Sequence, residues 1–263
     1  MMEITRKLTF KAIGLLIVMF SLNVAGYAER VATDKNSYPK YPWSFSGIFG
    51  SYDLSSVQRG YLVYRKSCAS CHSTEYMRYA DLQQMGLTLD QIDKMAKTDQ
   101  ILDGKDAQGK DHYRPATVVD YIPSPYANKL VAQSVNMGKV PLDLSRYAMT
   151  VDGQADYIMA ILLGYTKSPV DFKLDQDGLY YNRYFPGHQI AMRPPLVKGG
   201  VQYTDGTNTT IEQQAKDVTT FLSWTAHPHL IERHRIGIMA LIYVAFIAVL
   251  TFIIKRKVWS NVK

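Results

Sequence analysis

Cysteine is scarce: among 263 residues there are two, Cys68 and Cys71. A pair three positions apart cannot build the disulfide framework on which many small exported domains rely. It cannot close a structural zinc site either, because that needs two further ligands close by and no second cysteine pair exists. Net charge is short as well, once its location is considered. The formal charge is +7, from 30 Lys and Arg against 23 Asp and Glu, but seven basic residues sit at the two ends. Between the ends, 23 basic residues face 22 acidic ones. A body so close to neutral lacks the concentrated basic footprint of a nucleic-acid-binding protein. No internal repeat or low-complexity tract stands out.

Charge is missing altogether from Ile236 to Ile254, an apolar run of 19 residues. As a helix it would be about 28 Å long, which matches the hydrocarbon thickness of a bilayer. Lys255, Arg256 and Lys257 follow it at once, which favours a cytoplasmic C-terminus, although Arg233 and Arg235 flank the other side. At the N-terminus, Arg6, Lys7 and Lys11 precede and enter an apolar stretch through Phe20, and small Gly26 and Ala28 suit cleavage after Ala28. This is the layout of a secretory signal peptide. The expected organisation is a signal peptide over 1–28, an exported domain over 29–232, and an anchor with a short cytoplasmic tail over 233–263.

The two cysteines lie in Cys68-Ala69-Ser70-Cys71-His72, a C-x-x-C-H sequence. That spacing attaches a c-type haem: the thiols add across its two vinyl groups, and the adjacent imidazole is held where it can bind the iron. A redox dithiol would be expected within a βαβ pattern, which the surrounding sequence lacks. Both thiols are then used by the haem.

Periodicity predicts a mainly helical, loop-rich domain. Asp53 or Ser55 caps a helix on which Val57, Gly60, Tyr61 and Tyr64 form one stripe running into the haem motif. Gly60 lowers helix propensity, and a close approach by another helix would offset that. Thr88 with Gln91 marks a short helix to Lys97, and Asp103 to Gly109 reads as turn or loop. Further helices are expected over 128–135, 153–163 and 210–226, the last capped by Thr210 with Gln213 or by Thr209 with Glu212. The Asp-rich stretch 81–111 reads as a solvated face or as a docking surface for a basic redox partner.

An electron-transfer haem usually has both axial positions filled, and methionine sulfur opposite histidine raises the potential. Eleven methionines compete for that place. Met159 has the spacing of a core residue, and Met77, Met85 and Met95 follow the haem motif closely. Met192 lies in Ile190-Ala191-Met192-Arg193-Pro194-Pro195, where the prolines stiffen an extended loop. His112, His188, His227, His229 and His234 are the histidine alternatives.

In these residues the chain resembles the cytochrome c1 family, the membrane-anchored haem subunits of ubiquinol:cytochrome c reductase. The matches run in order: Trp43 to Gly47; Gln58 to Tyr64 leading to Cys68–Ser73; Arg114-Pro115; Pro141 to Ser145; Leu162 to Tyr165; Tyr184 to Gly187; Ile190 to Pro195; and Ala215 to Leu222. The resemblance, to the bacterial type, implies a mainly α c-type cytochrome haem domain with long loop-rich insertions and one C-terminal transmembrane helix. It implies one covalent haem c on Cys68 and Cys71, with iron ligated by His72 and Met192. It also implies that the helix before the motif crosses the helix at 210–226, with Gly60 at the crossing. The partners it implies are cytochrome b, a Rieske iron-sulfur subunit as electron donor and a cytochrome c as acceptor, in a dimeric complex of the bacterial inner membrane with the haem domain in the periplasm.

One departure concerns the haem propionates. After the Asp-Leu-Ser match the family commonly carries a basic residue several positions on, where this chain has Met149, Thr150 and Val151. Arg146 comes early, directly after the match, and Arg114 and Arg193 are the other candidates for that pairing. Two rival readings remain: a membrane-tethered relay cytochrome outside a quinol complex, and a haem enzyme with an open sixth position.

Overall fold

A computed structural model describes residues 38–260. The expected signal peptide at 1–28 lies outside the described residues, as does Lys263 at the end of the basic tail. The first helix of the described residues, α1 (Leu54–Val63), begins where Asp53, in extended conformation, accepts the Ser55 N–H on its carboxylate. That bond satisfies one of the amides that a helix start leaves without a partner. Beyond Val63 the helix widens over Tyr64–Cys68, and the Ala69 N–H reaches back five residues to the Tyr64 carbonyl at 2.9 Å. Such wide turns recur at functional sites.

Six further α-helices follow among the described residues: α2 (Leu89–Ala96), α3 (Lys129–Val135), α4 (Tyr147–Thr150), α5 (Gln154–Leu163), α6 (Ile211–Ala226) and α7 (Leu230–Trp259). Thr88 and Gln91 form the expected capping box of α2. Asn128 caps α3, and at α6 Thr210 accepts the Gln213 N–H, so Thr210 rather than Thr209 is the cap, while the Gln213 side chain donates to Asp217 instead of closing a box.

The centre of the fold is the crossing of α1 and α6. A Cβ built on Gly60 would stand 2.0 Å from the Asp217 carbonyl oxygen and 2.7 Å from the Phe221 Cβ, so the close approach requires glycine there. Tyr61 and Tyr64 pack on Phe221 with ring centroids 5.5 and 5.6 Å apart. Asp217 is fully buried, but Arg59 donates to it at 3.0 Å and Ser56 donates its hydroxyl. A buried carboxylate is tolerable when its oxygens are matched in this way. The main core gathers around the crossing and includes Val57, Cys68, Tyr79, Leu82, Leu144, Met159, Val218 and Trp224.

The Asp-rich region holds structure that periodicity did not reveal. Strands β1 (Gln100–Lys105) and β2 (Asp111–Pro115) pair antiparallel around a turn in which Asp106 accepts the N–H groups of Gln108 and Lys110. Both arms are largely exposed, so neither shows the in-out alternation that marks a strand. A second small ladder pairs β3 (Tyr180–Tyr181) with β4 (Gln189–Ile190) just before Met192.

Helix α7 runs for 30 residues and extends beyond the apolar run at both ends. Its length and composition suit a membrane span, and the side chains of the apolar run are exposed.

Candidate haem-attachment site

The wide turn at the end of α1 delivers Cys68 into the core and leaves Cys71 half-buried, with the two thiols free. The N–H groups of Cys71 and His72 both point back to the Cys68 carbonyl, at 3.0 and 2.8 Å. Tyr64 anchors the segment from beneath, its hydroxyl 3.1 Å from both the His72 carbonyl and the Thr74 hydroxyl. Burial pushes the Cys68 thiol up to about 12, so it stays protonated at neutral pH.

His72 is oriented by a residue distant in sequence. Its Nδ1 lies 2.8 Å from the Leu142 carbonyl oxygen, which selects the tautomer that carries the proton on Nδ1. Nε2 then keeps its lone pair, as an axial ligand requires. Burial lowers the His72 pKa and keeps the ring neutral, opposed by the Leu142 hydrogen bond and the charge of Asp143.

The carbonyl itself is held by a network that spacing could not disclose. Asp143 accepts the Ser73 hydroxyl at 2.9 Å and the Glu75 N–H at 2.7 Å, while the Leu144 N–H donates to the Ser73 carbonyl at 2.8 Å. The Pro141–Ser145 loop is thereby stitched to the irregular segment leaving the haem motif. Such outer contacts orient a metal-binding histidine.

Met192 belongs to the second of two hydrophobic clusters among the described residues. It packs half-buried against Tyr157, Ile161 and Ile190, with Tyr165, Tyr184 and Phe185 around them. Val151, just past α4, borders both this cluster and the one that contains Cys68. Tyr165 donates its hydroxyl to the Met192 carbonyl at 3.0 Å. Buried Asn182 braces the same loop by donating to the Ile161 carbonyl at 2.8 Å and accepting the Tyr184 N–H at 3.1 Å. The sequence signalled Tyr165 only through its match to Leu162–Tyr165, and Asn182 through none.

The rival methionines occupy other surroundings. Met77, Met85 and Met159 are enclosed in the main core, whereas Met192 is at a cluster edge. His188 has φ +59° and stacks on Tyr181, with ring centroids 5.7 Å apart. His112 sits exposed on β2.

Arg114 does not offer a free cation. Its guanidinium forks onto Asp120 at 2.7 and 2.8 Å and also approaches Asp103 at 3.5 Å. That pairing holds the Asp120 carboxyl well below the usual range. Arg146 lies over the Tyr76 ring, 4.8 Å from its centroid. Among the described residues no group of three or more His, Cys, Asp or Glu side chains could hold a metal ion. The donor set of two free thiols and a neutral imidazole with an available Nε2 fits covalent haem attachment.

A profile of the Cytochrome C1 family matches residues 43–262. The mitochondrial cytochrome c1 heme protein of Saccharomyces cerevisiae is 40% identical over 225 residues, covering 86% of this chain and 73% of the yeast protein. Cytochrome c1 of Rhodospirillum rubrum is 35% identical over 242 residues, covering 86% of this chain and 89% of that one. Cytochrome b/c1 of Bradyrhizobium diazoefficiens is 36% identical over 244 residues, covering 85% of this chain and 36% of that longer protein.

Proposed function

The chain belongs to the cytochrome c1 family and is an electron-transferring haem subunit of a cytochrome bc1 complex, and we propose that it passes single electrons from a Rieske iron-sulfur subunit to a cytochrome c. A covalently held haem supplies the one-electron couple of its iron. In this reading Cys68 and Cys71 would tether one haem c by thioethers, and His72, through Nε2, and Met192 would ligate its iron. The observation that carries the reading is His72, neutral and fixed by the Leu142 carbonyl beside two free thiols at attachment spacing.

The residues divide the work. Leu142 sets the imidazole tautomer, and the proton on Nδ1 stays there through the cycle. Tyr165 steadies the backbone that carries the Met192 sulfur. The aromatic cluster around Met192 would shield that side of the haem, and sulfur ligation would raise the potential. Neither cysteine takes part in proton transfer once it is tethered. Arg114, with Asp120 already on its guanidinium, would have to exchange partners to meet a propionate. Exposed Arg193, beside Met192, is then the better candidate.

The organisation that goes with this function is a signal peptide at 1–28, a periplasmic haem domain at 29–232 and a single-pass anchor from 233 in a bacterial inner membrane. Cytochrome b packs against α7 in a dimeric complex. The test is optical reduction of this haem by ubiquinol in membranes, with and without an inhibitor of the quinol-oxidising site. Abolition by the inhibitor is the expected result. Unchanged reduction under a verified block would place the protein on another electron route, as a tethered relay.

A further inference from the structure

Away from the haem site, the turn from Ser46 to Gly50 carries two large apolar side chains at its tip. Ile48 is 71% exposed and Phe49 is 81% exposed. The exposure is built in. The Ser46 N–H donates to the Trp43 carbonyl at 3.2 Å, the Gly50 N–H to Gly47 at 3.1 Å, and the Ser51 N–H to Ser44 at 3.0 Å. Gly47 turns the chain at φ +78°. A Cβ on Gly50 would stand 2.3 Å from the Phe45 backbone, and Phe45 itself stacks on Trp43 with centroids 5.3 Å apart. A turn braced in this way cannot fold its tip inward.

The location of the tip identifies its surroundings. The Gly50 carbonyl oxygen lies 3.2 Å from Nδ1 of His234, near the start of α7. Ile48 and Phe49 form a cleft of about 350 Å³ with Ile231, Arg235, Ile238 and Met239 of that helix. Ile238 and Met239 already belong to the uncharged run that begins at Ile236. With a rise of 1.5 Å per residue they lie about 3–5 Å past its start. Arg233 and Arg235, both exposed, sit just before it, at the level where basic side chains meet lipid headgroups. The cleft is therefore continuous with the lipid-facing surface of the span.

We propose that the Ile48–Phe49 turn is a membrane-inserted wedge, which receives phospholipid acyl chains against its two side chains and the Ile238–Met239 face of α7. The wedge gives the haem domain a second seat on the bilayer. The first is α7 itself, which is joined to α6 through the non-helical residues His227, Pro228 and His229. Two seats fix the angle at which the domain stands, where one would let it swing about that joint. The inference rests on the span and is independent of the haem ligands.

The test uses the full, haem-loaded chain in its own membranes, treated with a lipid-soluble carbene photolabel and an aqueous scavenger, then trypsin and mass spectrometry. Trypsin releases Tyr41–Arg59 with the tip, Ile236–Lys255 with the span, and Leu174–Arg183, which is exposed over Leu174–Gly178 and runs on through β3 to Asn182. The expected result is labelling of Tyr41–Arg59 within about threefold of the span peptide, with the adduct on Ile48 or Phe49. The double variant Ile48→Asp, Phe49→Asp alters only exposed side chains and should bring Tyr41–Arg59 down to the level of Leu174–Arg183. A lower yield in the unaltered chain, while the span is labelled, would overturn the proposal, because the tip would then lie in water or beneath another subunit.

Discussion

Tyr165 and Met192 test the sixth-ligand proposal one side chain at a time. Removing the Tyr165 hydroxyl leaves the half-buried Met192 carbonyl without its partner, a loss of about 1 kcal/mol. Tyr165→Phe should leave the protein folded but weaken the hold on the sulfur. The expected signs are partial loss of the sulfur-to-iron absorption band in the ferric protein and slow carbon monoxide binding in the ferrous one. Met192→Leu should abolish the band, lower the reduction potential and admit carbon monoxide fully. If Met192→Leu leaves band and potential unchanged, another residue is the ligand. If only Tyr165→Phe is silent, the ligand assignment stands and the hydrogen bond has no influence on it. The unaltered ferrous protein should refuse carbon monoxide, and ready binding would revive the open-site enzyme reading.

Helix packing makes its own demand at Gly60. Gly60→Ala places a methyl group where the Asp217 carbonyl oxygen and the Phe221 side chain already stand. Any gain in helix propensity is small beside the overpacking, so the substitution should destabilise by about 1–3 kcal/mol. Thermal unfolding of the full chain in detergent, followed by helical circular dichroism, measures it. An unchanged or raised midpoint would mean that α1 and α6 lie further apart than described. The same crossing explains why the short spacing of apolar residues in α1 was readable from sequence while the identity of its partner was not. The stripe shows a buried face, and any apolar helix could cover it. Only the match to a known family named residues 210–226.

At the scale of the whole molecule, buried and half-buried tyrosines set an alkaline limit on stability. Burial pushes Tyr61 and Tyr147 up to about 12 from the ordinary 10.0, and it raises Tyr52, Tyr64 and Tyr165 as well. An unfolded tyrosine ionises near pH 10, while the folded one keeps its proton to higher pH. The folded state therefore binds more protons in the window between, and stability is lost as pH rises through it. The expected observation is a cooperative rise in tyrosinate absorbance that coincides with loss of helical circular dichroism above pH 10. Independent titration of these tyrosines near pH 10 with the helices intact would contradict their burial.

What the sequence determined by itself was whatever depends on neighbours along the chain. The C-x-x-C-H spacing, the Thr88 cap and the uncharged run from Ile236 are all local, because a helix turn or a span is built within a few residues. The β1–β2 hairpin escaped notice because its exposed arms carry no burial pattern. Tertiary structure decided what depends on closing long loops. The Leu142 carbonyl reaches His72 across 70 positions, and Tyr165 reaches the Met192 carbonyl across 27. Arg114 looked available in the sequence, and its commitment to Asp120 emerged only when the turn at Thr117 brought the two side chains together. Residue types announce which chemistry is possible, and the packing of α1 against α6 places the partners that orient it.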